Sequence, residues 1–209
     1  ALNSIVRDVD KIKQSAVASQ RTFVVEVMGK ECGYLALMSG LATGAERVYL
    51  PEEGITLRDL QVDVEALSAS FARGKRLGLV IRSENADDVY TTSFIKALFE
   101  REGGDLFDVR EAVLGHVQQG GNPSPFDRIQ ATRLASTSIR QLVDLANRTE
   151  PTGLIAGLRQ GKVHFTPLND LPQLMEPNER RPRRQDWLDL RPLAQVMVGR
   201  GAPAASWPR

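Results

Sequence analysis

The chain has 209 residues, 42% of them hydrophobic, with 27 lysine and arginine residues against 26 aspartate and glutamate residues. This length and hydrophobic content allow one large core or two modest ones, which favours a folded protein over a disordered one. The net charge of +1 excludes an overall field that would attract nucleic acid or an anionic membrane, so any anion site must be local.

Helical and strand patterns alternate from the first residue onward and are joined by short connections. Thr56 with Asp59 resembles a capping arrangement, and Gly103 with Gly104 closes a helix. The predicted elements in chain order are a helix over 1–18, a strand over 22–28, a helix over 33–44, a strand over 48–50, a helix over 56–73, a strand over 77–81, a helix over 93–102 and a strand over 112–117. This alternation predicts an α/β fold with a mainly parallel sheet and helices on both faces.

The rest of the chain has a different pattern. A long helix is expected from Asp127 to about Asn147, followed by a hairpin whose strands, 154–158 and 163–165, flank Gln160 and Gly161. The last stretch is rich in proline and arginine, and residues 201–209 have the composition of a frayed tail. We therefore divide the chain into an α/β lobe over 1–120, a return helix, hairpin and C-terminal segment over 121–200, and the tail.

The residues show neither a membrane span nor a leader. No apolar run approaches the roughly 20 residues that cross a bilayer, and no charged and then apolar segment opens the chain. The single cysteine, Cys32, cannot form an internal disulfide, which fits a reducing compartment. We therefore expect a cytoplasmic protein that binds neither membranes nor nucleic acid.

Ligands of parallel α/β sheets bind beyond the carboxyl ends of the strands, so the residues that follow the strands are candidates. These residues are Gly29, Lys30, Ser83, Glu84, His116 and Gln119. A glycine after a strand lets the backbone approach a ligand, and its amide can donate to an anion or a hydroxyl. Taken alone, however, the strand followed by a glycine and a lysine favours a plain structural turn over a ligand site.

A more specific string is GHVQQGGNPSPFDR at 115–128. Its glycines bend the end of a predicted strand and present His116 and Gln119 as hydrogen-bond donors. Glu84 can accept hydrogen bonds from sugar hydroxyls, or can be an acidic residue that starts a helix. Two distant histidines and one cysteine do not make a zinc site, so no metal is expected.

Arginines are the candidates for binding phosphate, because the guanidinium fork matches its oxygens. They are Arg21, Arg110 and the cluster over 180–184. Scattered arginines are usually solvated surface residues, and no aromatic residues interleave the cluster as nucleic-acid binding would require.

Two strings, FVVEVMGKECGYLALMSGLATGA and VLGHVQQGGNPSPFDR, resemble the sugar-phosphate half of ATP-dependent 6-phosphofructokinases. The strings RDLQVDVEAL, GLVIRSEN and RPRRQDWLDLRPL are similar to that family too, so the resemblance extends to about Val198. It implies a phosphofructokinase-like α/β fold in which the lobe over 1–120 binds a sugar phosphate. The segment over 121–200 would pack on a nucleotide-type lobe that this chain does not contain.

Eukaryotic members of this family are tandem fusions of two such units, and the resemblance is to the second, regulatory unit. The first unit keeps the active site, whereas the second uses its sugar-phosphate pocket as an effector site for fructose 2,6-bisphosphate. Catalytic units typically have HVQRGG where this chain has Gln119, although Lys30 keeps a cation where effector units often have glycine. Two alternatives stay open: the substrate half of a catalytic unit that binds fructose 6-phosphate, and a ligand-free assembly unit.

The resemblance also implies roles for single residues. Arg21 and Arg110 would bind a phosphate in the pocket of a neighbouring subunit, and Arg180 would hold a second phosphate. The residues that would line the sugar or contact its hydroxyls and phosphate are Met28, Gly29, Lys30, Glu84, His116 and Gln119. The implied partners are a fructose phosphate, further copies of the chain and the missing N-terminal part of the kinase.

No catalytic residue is assigned to this chain. The glycine-rich nucleotide loop and the segment with the catalytic base precede the point that Ala1 matches in the family. ATP and Mg²⁺ would therefore be cofactors of the complete glycolytic enzyme and not of this chain. Phosphoryl transfer needs positioned, metal-neutralised phosphates, so we expect the chain by itself to be inactive.

Overall fold

The computed structural model describes residues 1–16, 19–147 and 153–196, which form two compact units. Of the described residues, the first unit consists of 1–121 and 186–196, and the second consists of those within Asn122–Gln185. The division predicted from the sequence groups residues up to 200 with the hairpin, whereas the described residues 186–196 belong to the first unit. No helix in the described residues is long and apolar enough to cross a membrane.

The first unit contains a four-stranded sheet whose pairings are all parallel, as the sequence predicted, and its strand order is β2-β3-β1-β4. Its elements are α1 (Leu2–Ala16), β1 (Arg21–Val27), α2 (Tyr34–Thr43), β2 (Arg47–Tyr49), α3 (Leu57–Ala72), β3 (Leu77–Ser83), α4 (Thr92–Gly103) and β4 (Asp108–Val113). Strand β1 is central and almost continuously buried, which explains its run of β-branched residues. Val27 pairs with Ser83, so β1 and β3 end at the same edge of the sheet.

Helices cover both faces of this sheet. The side chains of Val24 and Val25 are consecutive and therefore point to opposite faces. Val25 packs in a core with α1 and α2, and Val24 packs in a second core with α3 and α4. The predicted capping box of α3 is present, since the Thr56 amide donates to Asp59 Oδ2 at 3.1 Å and the Asp59 amide donates to Thr56 Oγ1 at 3.2 Å.

The strand predicted over 112–117 has the wrong bounds. Strand β4 ends at Val113, and Gly115–Gln119 forms a turn of 3₁₀ helix. The extended chain cannot continue because Gly115 has φ of +53°, in the left-handed region. The first half of β4 lacks the hydrophobic pattern of a strand because, on this edge of the sheet, the charged residues on either side of the buried Val109 are exposed.

The second unit has the predicted long helix and hairpin. Its elements are α5 (Pro125–Ala146), β5 (Leu154–Arg159), β6 (Lys162–Pro167), α6 (Leu171–Leu174), β7 (Met175–Glu176) and β8 (Arg181–Pro182). Gln160 and Gly161 connect β5 and β6 with φ of 50° and 74°, the left-handed pair of a type I′ turn. The described chain ends in the first unit with α7 (Arg191–Val196), and the predicted tail lies outside the described residues.

Candidate functional site

Three loops follow the carboxyl ends of the sheet strands. We name them the 28–33 loop after β1, the 84–91 loop after β3 and the 115–121 loop after β4. Hydrogen bonds join the first loop to each of the other two. Together the three loops form the rim, the edge at which ligands of parallel sheets bind.

Glu84 connects two loops of the rim. Its Oε1 accepts hydrogen bonds from the amides of Gly29, at 3.1 Å, and Lys30, at 2.8 Å. Its own amide donates to the Val27 carbonyl at 2.9 Å. The alternative of a helix-starting acid is wrong, because the next helix begins at Thr92. Oε2 makes no hydrogen bond to the described residues, so this oxygen can accept one from a ligand hydroxyl.

Gln118 connects the third loop to the first, and the sequence analysis missed it. The Met28 amide donates to Gln118 Oε1 at 2.8 Å, and Gln118 Nε2 donates to the Met28 carbonyl at 3.0 Å. The side chain is only 1% exposed, so it is structural. The neighbouring Gln119 is exposed, and its Nε2 lies 3.6 Å from the Met28 sulfur. Nothing in the pair of adjacent glutamines indicates which of the two is buried.

The 28–33 loop requires glycine at position 29. A Cβ there would lie 2.4 Å from the Cys32 carbonyl oxygen, which belongs to the backbone and cannot rotate away. The amide of Gly33, at the start of α2, donates to both carboxylate oxygens of Glu52, at 3.0 and 3.1 Å. Carboxylates of the chain thus occupy the amides of Gly29, Lys30 and Gly33. An anion at this rim would consequently be bound by side chains and not by those backbone amides.

Two exposed side chains complete the rim. Lys30 has φ of 49°, a left-handed conformation, and is exposed directly after Gly29. His116 is exposed on the 3₁₀ turn that also carries Gln118. The predicted set Met28, Gly29, Lys30, Glu84, His116 and Gln119 therefore lies on the three loops of one sheet edge.

The structure does not bring Arg21 and Arg110 to this rim. Arg21 is the first residue of β1, and six residue steps separate it from Val27, or roughly 20 Å along an extended strand. Arg21 Nε lies 3.8 Å and Arg110 Nη2 lies 3.7 Å from the same oxygen, Oδ2 of Asp108. Arg21 Nε is buried without a hydrogen-bond partner in the described part of the chain. The two arginines thus form a separate basic pair.

Arg180 belongs to the second unit, where it is exposed with φ of 53° and its amide donates to the Glu176 carbonyl at 2.9 Å.

Within residues 1–16, 19–147 and 153–196, no group of three histidine, cysteine, aspartate or glutamate side chains could hold a metal ion. The rim offers hydrogen-bond donors, the Glu84 carboxylate as an acceptor and the cation of Lys30, the chemistry of a polar small-molecule site.

The fold and the rim define an α/β lobe suited to a polar ligand, and comparison with known proteins identifies the family. The phosphofructokinase family model matches residues 1–142. The chain belongs to the phosphofructokinase family, which confirms the resemblance that its sequence motifs indicated.

Relatives and solved structures agree with this assignment. The chain is 51% identical over 193 residues to the ATP-dependent 6-phosphofructokinase of Dictyostelium discoideum, covering 91% of this chain and 23% of that protein. It is 40% identical over 209 residues to the muscle-type enzyme of Mus musculus, covering 95% of this chain and 27% of that protein. The structure of phosphofructokinase from Saccharomyces cerevisiae matches with a TM-score of 0.91 and 34% identity, over 95% of this chain and 28% of that one.

The Pichia pastoris phosphofructokinase in the T-state matches with a TM-score of 0.86 and 36% identity, over 99% of this chain and 25% of that one. The chain thus spans about a quarter of the length of these four proteins.

Proposed function

We propose that this chain is the fructose-phosphate-binding half of a tandem 6-phosphofructokinase, with fructose 2,6-bisphosphate as its ligand. The observation that supports the proposal is the rim, in which hydrogen bonds from Glu84 and Gln118 hold the 28–33 loop between two neighbouring loops. A site whose loops are held in place before binding loses little conformational freedom when a ligand arrives.

The rim carries the groups that a phosphorylated sugar requires. Hydroxyls of the sugar donate to Glu84 Oε2, since Oε1 already accepts from two amides. The cation of Lys30 and the donors of Gln119 and His116, all exposed, face the phosphate or the remaining hydroxyls. The net charge of +1 makes such local donors necessary, because the protein as a whole does not attract anions.

The basic pair of Arg21 and Arg110 serves a site in another subunit. Within one chain Arg21 lies roughly 20 Å from the end of β1 at the rim, and Arg110, which pairs with Phe23, lies roughly 13 Å from it along the strands, so one sugar phosphate at the rim does not reach as far as Arg21. A ligand on one rim can therefore reach such a pair only if a second copy of the chain supplies it. Arg180, on the second unit, is assigned to the second phosphate of the ligand by the same family resemblance. The proposed assembly is a homo-oligomer that also contains the N-terminal part of the kinase.

Gln119 favours the effector over the substrate. A neutral amide stands where catalytic units of the family have arginine, so this position supplies no cation that would stabilise a transferring phosphoryl group. ATP and Mg²⁺ are assigned to the part of the enzyme outside this chain. The alternative of a substrate half that binds fructose 6-phosphate depends on Lys30 as the stabilising cation. The alternative of a pure assembly unit leaves the exposed polar groups of the rim without a role.

Calorimetry on the chain with fructose 2,6-bisphosphate, fructose 6-phosphate and inorganic phosphate tests the proposal. We expect affinity to fall in that order, and a coupled assay with ATP and Mg²⁺ to show no turnover. Glu84→Gln should weaken the binding of both sugar phosphates. Glu65→Gln, which replaces an exposed carboxylate on α3, should leave both affinities unchanged. Tighter binding of fructose 6-phosphate would favour the substrate half, and no binding of either sugar would favour the assembly unit. Turnover in a homogeneous preparation would overturn the assignment of an inactive half.

A further inference from the structure

Arg82 is the penultimate residue of β3, two residues before Glu84, and is only 1% exposed. A guanidinium removed from water needs partners for its donors, because desolvating an unpaired charge is costly. Burial lowers the pKa of Arg82, and the nearby carboxylate of Glu26 opposes this effect. The buried charge of Arg82, next to the 84–91 loop, must therefore be compensated by hydrogen bonds within the chain.

Its hydrogen bonds show what the charge holds. Arg82 Nη1 donates to the Glu84 carbonyl at 2.9 Å, Nη2 donates to the Asp87 carbonyl at 2.6 Å, and Nε donates to the Tyr90 carbonyl at 3.2 Å. All three acceptors are backbone atoms of the 84–91 loop. One side chain thus fixes three points along the loop that carries Glu84.

The other side of Arg82 is anchored in the core of the sheet. Nη1 also donates to Glu26 Oε2 at 3.0 Å, and Glu26 is the residue paired with Arg82 across β1 and β3. The hydroxyl of Thr92, at the start of α4, donates to the same Glu26 oxygen. The anchor therefore joins β1, β3 and the first turn of α4.

We infer that Arg82 is the positioning residue of the rim, which places the Glu84 carboxylate for the ligand without touching the ligand itself. By fixing the Glu84 carbonyl, Arg82 holds this residue where Oε1 binds the amides of Gly29 and Lys30 and Oε2 stays available. The ligand part of this inference rests on the proposed function, whereas the ordering of the loops does not. Lysine cannot replace Arg82, because a single ammonium has no planar fork that could reach three carbonyls and a carboxylate.

Hydrogen exchange and calorimetry on the whole chain test this role with Arg82→Lys. We expect the amides of Gly29 and Lys30 to exchange at least tenfold faster and fructose 6-phosphate to bind roughly three- to tenfold more weakly. Phosphate binding at the basic pair should not change, since the hydrogen bonds of Arg82 go to Glu26 and the 84–91 loop and not to Arg21 or Arg110. The double variant Arg82→Lys, Glu84→Gln should lose no more affinity than Glu84→Gln alone.

Arg47→Lys is the matched control. Arg47 is also a nearly buried arginine in an ion pair, with Asp63, but it lies on β2 away from the rim. If Arg82 only stabilised the fold, the two variants would lower the unfolding temperature and speed exchange at Gly29 and Lys30 alike. That result would overturn the inference, as would unchanged exchange in Arg82→Lys.

A milder variant, Thr92→Val, covers the case in which Arg82→Lys does not fold. It removes only the hydroxyl that helps to hold Glu26, so a smaller change in the same direction is expected at the amides of Gly29 and Lys30. Unchanged exchange of these two amides in Thr92→Val would then contradict the role of Glu26 as the anchor of Arg82. If the unaltered chain binds no sugar phosphate while its Arg82 variants still loosen these amides, the proposed function fails but the positioning of the loops stands.

Discussion

Gln118→Ala should be one of the most damaging substitutions at the rim. Gln118 is 1% exposed and makes two hydrogen bonds, at 2.8 and 3.0 Å, to the amide and carbonyl of Met28. Each such bond contributes about 1 kcal/mol net, and leaving its partner unsatisfied costs more. Together with the small cavity left behind, we expect the free energy of unfolding to fall by about 2–4 kcal/mol.

Urea denaturation followed by circular dichroism measures this change, with Gln119→Ala as the control. Gln119 has the same side chain one residue later, but it is exposed and its Nε2 lies 3.6 Å from the Met28 sulfur. Its substitution should change the unfolding free energy by less than about 0.5 kcal/mol. Equal losses in the two variants, or a loss below that limit for Gln118→Ala, would refute the assignment of Gln118 as the residue that holds the loop.

Three further predictions concern binding and assembly. Arg110→Ala should weaken sugar-phosphate binding by about 1.5–3 kcal/mol in calorimetry, whereas Arg58→Ala, exposed on α3, should not. Gly29→Ala should lower the unfolding free energy by about 1–3 kcal/mol, because its Cβ would meet a backbone oxygen at 2.4 Å, while Gly157→Ala, with open space around it, should be neutral. The chain should self-associate, and sugar phosphate should strengthen the association in sedimentation experiments, because a shared site favours the assembled form. Unchanged affinity in Arg110→Ala, a neutral Gly29→Ala, or a single monomer peak with and without ligand would contradict the respective prediction.

Association has a second possible driving force on α5, and the sedimentation experiment separates the two. Ile129, Ile139 and Leu142 are 59%, 62% and 65% exposed, and Leu134 is partly buried. Apolar contacts made by such side chains would be indifferent to sugar phosphate. Association that does not respond to ligand would therefore leave only this explanation.

Local patterns determined most of the fold. The buried run of β1 and the alternation of helices with strands require only residues close in sequence, so they predicted the parallel sheet and its covered faces. The capping box of Thr56 and the left-handed pair Gln160-Gly161 are likewise local. The edge strand β4 was misplaced because exposure on an edge removes the hydrophobic signal that marks a strand.

The site was predicted only in part, because its contacts are long-range. The strand ends and the family strings indicated Glu84 and the 28–33 loop, but 55 residues separate Glu84 from Gly29 and 90 separate Gln118 from Met28. Which of two adjacent glutamines is buried, and which carbonyls Arg82 holds, depends on the packing of loops that meet only in the folded chain. The sequence by itself therefore determined the sheet and the kinds of side chain at its edge. Only the tertiary structure decided which of these side chains hold the loops together by hydrogen bonds. Hydrogen-bond partners are set by distance in space and not by distance along the chain.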